Sequence, residues 1–174
     1  MRRTLCLAVC LAVTLGGGVR AATLQITSSA FAANGSIPSK YTCQGAGVNP
    51  ELTFSGVPAK AQSLVLIMDD PDVPKNLMPS GVFDHWLIWD LPATSKGLAE
   101  AAPESKKGIN GMGQAGYIGP CPPDREHRYF FKLYALDTTL PGAKIANKKD
   151  LETAMQGHIV EQAELIGRYE KQGR

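Results

Sequence analysis

The chain has 174 residues, of which 44% are apolar, with 18 lysines and arginines against 16 aspartates and glutamates. A formal net charge of only +2 argues against the strongly basic proteins that bind nucleic acid. No stretch combines aromatic and basic residues into a platform for single strands either, so we expect no nucleic-acid partner.

Residues 1–21 have the pattern of a secretory signal peptide. Arg2 and Arg3 precede an apolar run over residues 5–15, and Ala21 ends a small-residue cleavage site. The run is too short to cross a bilayer, which needs about 20 residues, and no second apolar segment follows. We therefore expect cleavage near Ala21, a periplasmic or secreted protein without a membrane span, and one domain over residues 22–174.

Two cysteines, Cys43 and Cys121, remain after this cleavage, and the net charge becomes −1. In an oxidising compartment such a pair can form a disulfide between distant parts of a chain. The alternative is two separate buried thiols. Both cysteines lie in turn-rich, polar segments, which favours the disulfide.

Strand patterns dominate the mature chain. Short strands are predicted at residues 24–26 and 51–54, and longer ones at 63–68, 82–91 and 128–136. Strict alternation in the strand at 82–91 would place Trp86 and Ile88 on one face and the other large side chains opposite them, namely Phe83, His85, Leu87 and Trp89. No strand–helix–strand alternation is present, so the pattern predicts a mainly β, antiparallel, sandwich-like fold.

One helix is predicted near the C-terminus. Asn147 can cap it, with Asp150 three residues later, and apolar or bulky residues then recur at helical spacing as far as Ile159. Gly157 costs about 1 kcal/mol relative to alanine inside a helix. Residues 163–169 alternate and predict a final strand, while residues 92–125 predict long Gly- and Pro-rich loops of the kind that often carry function.

Polar residues accompany the predicted strands in three segments, at residues 69–72, 83–86 and 119–129. If these strand ends converge, they bring together two imidazoles, a carboxylate and a phenol: His85, His127, Asp70 and Tyr129. Imidazole N–H groups and a tyrosine hydroxyl suit an oxygen-rich anion such as phosphate, and Asp70 would orient one histidine and keep it protonated.

Each segment alone has a simpler explanation. A single histidine on a strand is usually a satisfied structural residue, and an aspartate run is usually a solvated turn, so the site hypothesis depends on all three coinciding. A metal held by Asp70, His85 and His127 lacks any recognisable ligand spacing, and there is no Gly-x-Ser-x-Gly nucleophile motif. A disulfide would also deny Cys121 a nucleophilic role. We therefore expect a non-enzymatic site without metal or cofactor.

Three sequence segments carry a family resemblance: residues 69–74 (DDPDVP), 83–92 (FDHWLIWDLP) and 116–137 (GYIGPCPPDREHRYFFKLYALD). In this order they resemble the phosphatidylethanolamine-binding protein family, in its bacterial branch of Raf-kinase-inhibitor-like proteins, over essentially the whole mature chain. The resemblance implies a large and a small β-sheet, helical elements toward the C-terminus, and a small surface pocket for phosphate-type groups. Carried over by residue, that pocket uses Asp70, His85, His127, Tyr129 and Pro122, with Gly119 in a wall loop at 119–123.

Two rim residues remain open. Asp72 fits the family motif and is expected to shape the loop more than to touch ligand. Many relatives have glycine where this chain has Arg125, and a non-glycine residue resists positive φ, so the rim loop can differ. Arg125 could instead add a bidentate phosphate contact.

The main hypothesis is an exported, non-enzymatic binding protein for a phospholipid headgroup or another phosphorylated ligand. Its affinity for the ligand should weaken as pH rises through the range in which histidine loses its proton. This range lies at about 6.5, or somewhat higher if a carboxylate assists. The alternatives are an inhibitor of a peptidase or other partner protein acting through a surface segment, and a weak hydrolase with His127 as general base. A homodimer is also possible.

Overall fold

The computed structural model describes residues 23–103, 108–141 and 144–173, so the predicted signal peptide lies outside the described residues. The strands and helices, in chain order, are β1 (Gln25–Thr27), a 3-10 turn (Ser39–Tyr41), β2 (Leu52–Ser55), β3 (Ser63–Asp70), β4 (Phe83–Pro92), β5 (Gly97–Leu98), β6 (His127–Leu136), α1 (Lys148–Met155) and β7 (Ile159–Tyr169). Within these ranges, no helix has the length and apolar content needed to cross a membrane.

Two antiparallel sheets form the fold. The larger has the order β4-β3-β6-β7 and the smaller the order β1-β2-β5. The predicted mainly β, antiparallel, sandwich-like architecture is therefore confirmed. β3 lies inside the larger sheet and all eight of its residues are buried. This explains why its sequence is a continuous apolar run rather than an alternation of apolar and polar residues.

The larger sheet buries both of its faces. One face packs on the small sheet through a core that includes Leu66, Met68 and Phe131 from the large sheet and Leu52 and Phe54 from the small one. The opposite face packs under α1 and the segment before it. This second cluster of buried apolar side chains includes Val65, Ile67, Leu87, Trp89, Leu140, Leu151 and Met155. Burial on both sides holds the ends of β3, β4 and β6 in fixed relative positions.

The C-terminal helix begins where predicted but ends earlier. The side chain of Asn147 accepts a hydrogen bond from the amide of Asp150 at 3.1 Å, which confirms the N-cap. The helix ends at Met155, and Gly157 adopts a φ of +80°. The predicted continuation to Ile159 is therefore wrong, because glycine here turns the chain instead of extending the helix. The predicted final strand is confirmed and starts at Ile159.

β4 contains an extra residue relative to β3, and this residue is His85. Met68 pairs with Trp86, whereas the next residue, Asp69, pairs with Asp84, so His85 has no partner across the ladder. Such a β-bulge shifts the alternation of side chains by one position. A second irregularity lies between Leu64 and Leu66 of β3.

The bulge corrects the predicted faces of β4. His85 packs its ring against Tyr129 on the small-sheet side, the side that also receives Trp86 and Ile88. Leu87 and Trp89 point instead to the helix side. The strict alternation assumed from the sequence is therefore wrong at this strand, because an inserted residue reverses the phase of everything that follows.

The Gly-rich segment 108–118 runs along the outer edge of β4. The amides of Gly108, Gly111 and Ile118 donate to the carbonyls of Leu87, Asp84 and His85 at 3.2, 2.8 and 3.0 Å. Gly111 lies so close to the Phe83 ring that an added Cβ would be 2.6 Å from it. Part of the long loop predicted at 92–125 therefore covers a sheet edge and reaches the end of β4 that carries His85.

Candidate functional site

A cavity of about 460 Å³ opens where the end of β3 and the start of β4 meet two loops. Among the described residues, its one carboxylate and one imidazole come from Asp70 and His85, while most of the wall is apolar or backbone. The described residues that line it are Cys43, Gly47, Asp70, Val73, Phe83, His85, Met112, Tyr117, Ile118, Gly119, Cys121 and Pro123. The arrangement is that of a small ligand pocket with few polar groups in a mostly apolar wall.

The structure brings some predicted site residues to the cavity surface and places others beneath it. Asp70, His85 and Gly119 line the cavity. His127 and Tyr129 are fully buried and do not line it, and Pro122 is buried while its neighbour Pro123 forms the wall. Contact between ligand and any of these residues stays a prediction.

The predicted carboxylate run divides between the two faces of the sheet. β3 continues through Asp69 and Asp70, two residues beyond its predicted end, and successive side chains of a strand point in opposite directions. Asp70 faces the cavity, whereas the buried carboxylate of Asp69 accepts hydrogen bonds from Lys132 at 2.8 Å and from Lys148 at 2.5 Å. Of these two carboxylates, only that of Asp70 lines the cavity.

His127 is held between two carboxylates. Its Nδ1 lies 2.7 Å from Asp70 Oδ2 and its Nε2 lies 2.8 Å from Asp124 Oδ1. Because ionised carboxylates only accept, a doubly protonated ring satisfies both contacts by donating on each side. Both ring nitrogens of His127 contact carboxylates, so its expected role as a donor to a ligand stays a prediction and would require one of these contacts to break. Its contact with the cavity-lining residues is with Asp70.

His85 is fixed by a reciprocal pair with Ile118. Its Nδ1 lies 2.7 Å from the Ile118 carbonyl, and the Ile118 amide donates to the His85 carbonyl at 3.0 Å. A carbonyl can only accept, so Nδ1 carries the proton and the neutral ring has its lone pair on Nε2. The ring also packs against Phe83 and Tyr129, with centroids 4.8 and 5.2 Å away.

Burial determines the protonation of His85. The ring is nearly inaccessible, and desolvation lowers the pKa of His85 below its ordinary value of 6.5, more than the Ile118 carbonyl and the nearby Asp70 raise it. The histidine that the Asp70 carboxylate contacts directly is His127, so the expected orienting role of Asp70 applies to that ring and not to His85.

The turn after β3 is organised by Asp70 and Asp72. Asp70 Oδ1 accepts a hydrogen bond from the Asp72 amide at 2.8 Å. The Asp72 carboxylate in turn accepts from the Arg128 amide, Nε and Nη2 at 3.0, 2.8 and 2.8 Å, which lowers the pKa of Asp72 to about 2. Asp72 therefore shapes the loop, as expected. Arg125 is exposed and does not line the cavity.

A disulfide joins the two loops that form the cavity wall. Cys43 and Cys121 are bonded, with their Cα atoms 5.4 Å apart, so the predicted pairing is present. The Cys43 amide donates to the Pro120 carbonyl at 3.1 Å, and the Tyr117 hydroxyl donates to the Tyr41 carbonyl at 2.7 Å. Gly119 is required here, because an added Cβ would be 2.7 Å from the Tyr41 oxygen.

Several cavity residues were not identified from the sequence. Val73 and Met112 lie in loops whose approach to the site has no local signal. Asp124 contacts His127 outside the cavity lining, and its position three residues before that histidine is the sequence feature that indicates this contact. Among the described residues, no group of three or more metal-ligating side chains is placed to hold a metal ion.

We expect loss of the disulfide to weaken the fold. Replacing both partners, as Cys43→Ser with Cys121→Ser, should lower the free energy of unfolding by about 2–5 kcal/mol, because the bond closes a long segment of the chain. Urea unfolding of both proteins measures the difference. Dithiothreitol should destabilise the wild type to the same extent and leave the double variant unchanged. A difference below about 0.5 kcal/mol would show that the bond adds nothing.

We expect Asp72→Asn to lower stability in a pH-dependent way. The folded pKa of Asp72 is below its unfolded value, so the contribution is complete above about pH 4 and is lost as pH falls toward 2. Since Arg128 is half-exposed, the difference at pH 7 should be about 1–2 kcal/mol. Urea unfolding between pH 2.5 and 7 measures it, with Glu170→Gln at an exposed position as control. A difference that did not change with pH would exclude the ion pair as its cause.

Comparison with known proteins places this fold and site in a family. Residues 27–170 match the family model described as phosphatidylethanolamine-binding protein. A UPF0098 protein of Chlamydia pneumoniae is 52% identical over 149 residues, covering 85% of this chain and 99% of the relative. A UPF0098 protein of Methanothermobacter thermautotrophicus is 46% identical over 155 residues, with coverage of 85% and 99%.

Solved structures agree with the family model. The crystal structure of a phosphatidylethanolamine-binding protein homolog from Chlamydia trachomatis is 47% identical, has a TM-score of 0.83, and the match covers 86% of this chain and 99% of that one. The Escherichia coli protein YbcL, described as a member of the mammalian family, is 27% identical with a TM-score of 0.77 and coverage of 87% and 100%. The chain therefore belongs to the phosphatidylethanolamine-binding protein family.

Proposed function

We propose that this protein is a non-enzymatic binding protein whose pocket holds a phosphate-type group at His85, whether from a phospholipid headgroup or from another phosphorylated ligand. The observation that carries the proposal is the way His85 is presented. Ile118 holds one ring nitrogen at 2.7 Å, so the ring is fixed in the cavity wall and only Nε2 remains for a guest. A rigid group of this kind loses little entropy on binding.

Anion binding and proton binding are coupled at this position. Burial removes His85 from water and so disfavours its charged form. A bound anion would stabilise that charged form through its opposite charge. The nearby Asp70 carboxylate favours the same imidazolium, but by less than burial disfavours it. The complex should therefore contain one more proton than the free protein at neutral pH.

The state of the other lining residues supports binding over catalysis. Both cysteine sulfurs are joined in the disulfide, so neither is a thiolate nucleophile. The Tyr117 hydroxyl donates to a backbone carbonyl, and burial raises the pKa of Tyr117 far above its ordinary value. Both ring nitrogens of His127 contact carboxylates, which weakens the hydrolase hypothesis that uses this residue as general base. Inhibition of a partner protein stays a prediction.

The proposal predicts that phosphate binds more tightly at low pH. The free His85 has a pKa below 6.5, and the anion favours its charged form, so affinity should rise by about tenfold or more from pH 8 to pH 5.5. Isothermal titration calorimetry with inorganic phosphate at both pH values measures this. His85→Gln should remove most of the affinity, whereas His158→Gln, at an exposed site, should retain it. Equal affinity at both pH values would count against His85.

We also propose that the protein is exported and that residues 1–21 are removed. The disulfide supports this, because such bonds persist mainly in oxidising compartments. N-terminal sequencing of the protein recovered from a periplasmic or extracellular fraction should begin at Ala22. Recovery of the intact Met1 form from the cytosol alone would contradict export.

A further inference from the structure

We propose that the pocket selects oxyacids that carry their own acidic proton, that is, singly ionised phosphate monoesters or phosphonates, over fully ionised or esterified oxyanions. This inference rests on the proposed function and narrows the ligand class of the same site: of the sources named there, it retains phosphate monoesters, including monoester headgroups, and excludes phosphodiester headgroups. Three features of the structure support it: the direction of the hydrogen-bonding groups, the absence of cations in the wall, and the cost of protonating His85.

The polar side chains that face the cavity are acceptors. Asp70 is a carboxylate, and each of its oxygens has a further lone pair beyond its contact with the Asp72 amide or with His127. The neutral His85 ring donates its one N–H to the Ile118 carbonyl, so its Nε2 can only accept. The Tyr117 hydroxyl donates its proton to the Tyr41 carbonyl. Among the described side chains that line the cavity, none therefore offers a donor to a guest, and the Tyr129 hydroxyl, which has no hydrogen-bond partner, lies buried behind the His85 ring.

Cations do not compensate for this set of acceptors. None of the described residues that line the cavity is a lysine or arginine. Arg128 is bound to Asp72, while Lys132 and Lys148 are bound to Asp69 on the opposite face of the sheet. The His127 ring lies between Asp70 and Asp124, contacts both, and is not directed at the cavity. A doubly charged anion would therefore find no counterion among the described side chains that line the cavity.

Protonating His85, so that it could donate a hydrogen bond to the ligand, is unfavourable at neutral pH. The groups around its ring are Asp70 on β3, His127 and Tyr129 on β6, and Phe83 on its own strand, with Asp69 on the far face. Burial outweighs the attraction of the aspartates and keeps the ring neutral at pH 7. A guest with a P–O–H group brings the proton itself and donates it to Nε2. The shared proton then joins the two whether it resides on oxygen or on nitrogen.

The apolar wall indicates what the rest of such a ligand looks like. Val73, Phe83, Met112, Ile118 and the disulfide surround the two polar groups, so an organic substituent on phosphorus would be removed from water as the acid group binds. An organic phosphonate therefore fits better than an inorganic ion. Sites built to pair with a hydroxyl reject analogues that lack it, because a buried polar group is then left unpaired.

The test compares three small ligands on the wild-type protein at pH 6.5 by isothermal titration calorimetry. Methylphosphonate carries one charge and one acidic proton, dimethyl phosphate one charge and no acidic proton, and sulfate two charges and none. We expect methylphosphonate to bind at least about tenfold more tightly than the other two. Dimethyl phosphate or sulfate binding within about threefold of methylphosphonate would overturn the inference and leave the proposed function standing.

A different outcome identifies failure of the proposed function. If none of the three ligands, nor phenylphosphonate, binds to protein that circular dichroism shows to be folded, the phosphate-type pocket and the selectivity both fail. His85→Gln offers a donor as well as an acceptor, so its affinities for methylphosphonate and dimethyl phosphate should converge to within about threefold. His158→Gln should keep the wild-type ratio. The wild-type series decides the question alone if His85→Gln does not fold.

Discussion

The unpaired residue in β4 determines where the polar groups of this protein meet. Because His85 has no partner across the ladder, Phe83, His85 and Trp86 all point to the small-sheet side instead of alternating. The ring thereby reaches the end of β3 that carries Asp70. The same displacement presents the His85 carbonyl to the Ile118 amide, so the loop that fixes the imidazole also depends on it. Bulges beside functional sites commonly redirect a side chain in this way.

His127 gives this site an electrostatic character that its composition does not suggest. Two histidines and an aspartate resemble a set of donors for an anion, yet the buried ring of His127 is occupied on both sides by Asp70 and Asp124. Its ring nitrogens are directed at these two carboxylates and not at the cavity. The described polar side chains at the cavity surface are consequently acceptors, surrounded by apolar residues. His127 thus positions Asp70 within the protein.

Local sequence patterns predicted much of the fold but only part of the candidate site. The apolar run at β3, the Asn147 cap and the cysteine pair each carry a signal within a few residues, and the structure agrees with them. The phase of β4 did not follow, because a bulge depends on how two strands pair and not on either sequence alone. The neutral state of His85 also required the packed structure, since its cause is burial by residues distant in sequence.

The cavity wall is assembled from segments far apart in the chain, since the bonded cysteines are 78 residues apart. One wall loop is synthesised well before the other, and their covalent connection requires an oxidant. A nascent or cytosolic chain, kept reduced, would lack this connection between the Cys43 and Cys121 loops. The position of one wall loop relative to the other would then depend on noncovalent contacts alone, such as the hydrogen bond from the Cys43 amide to the Pro120 carbonyl.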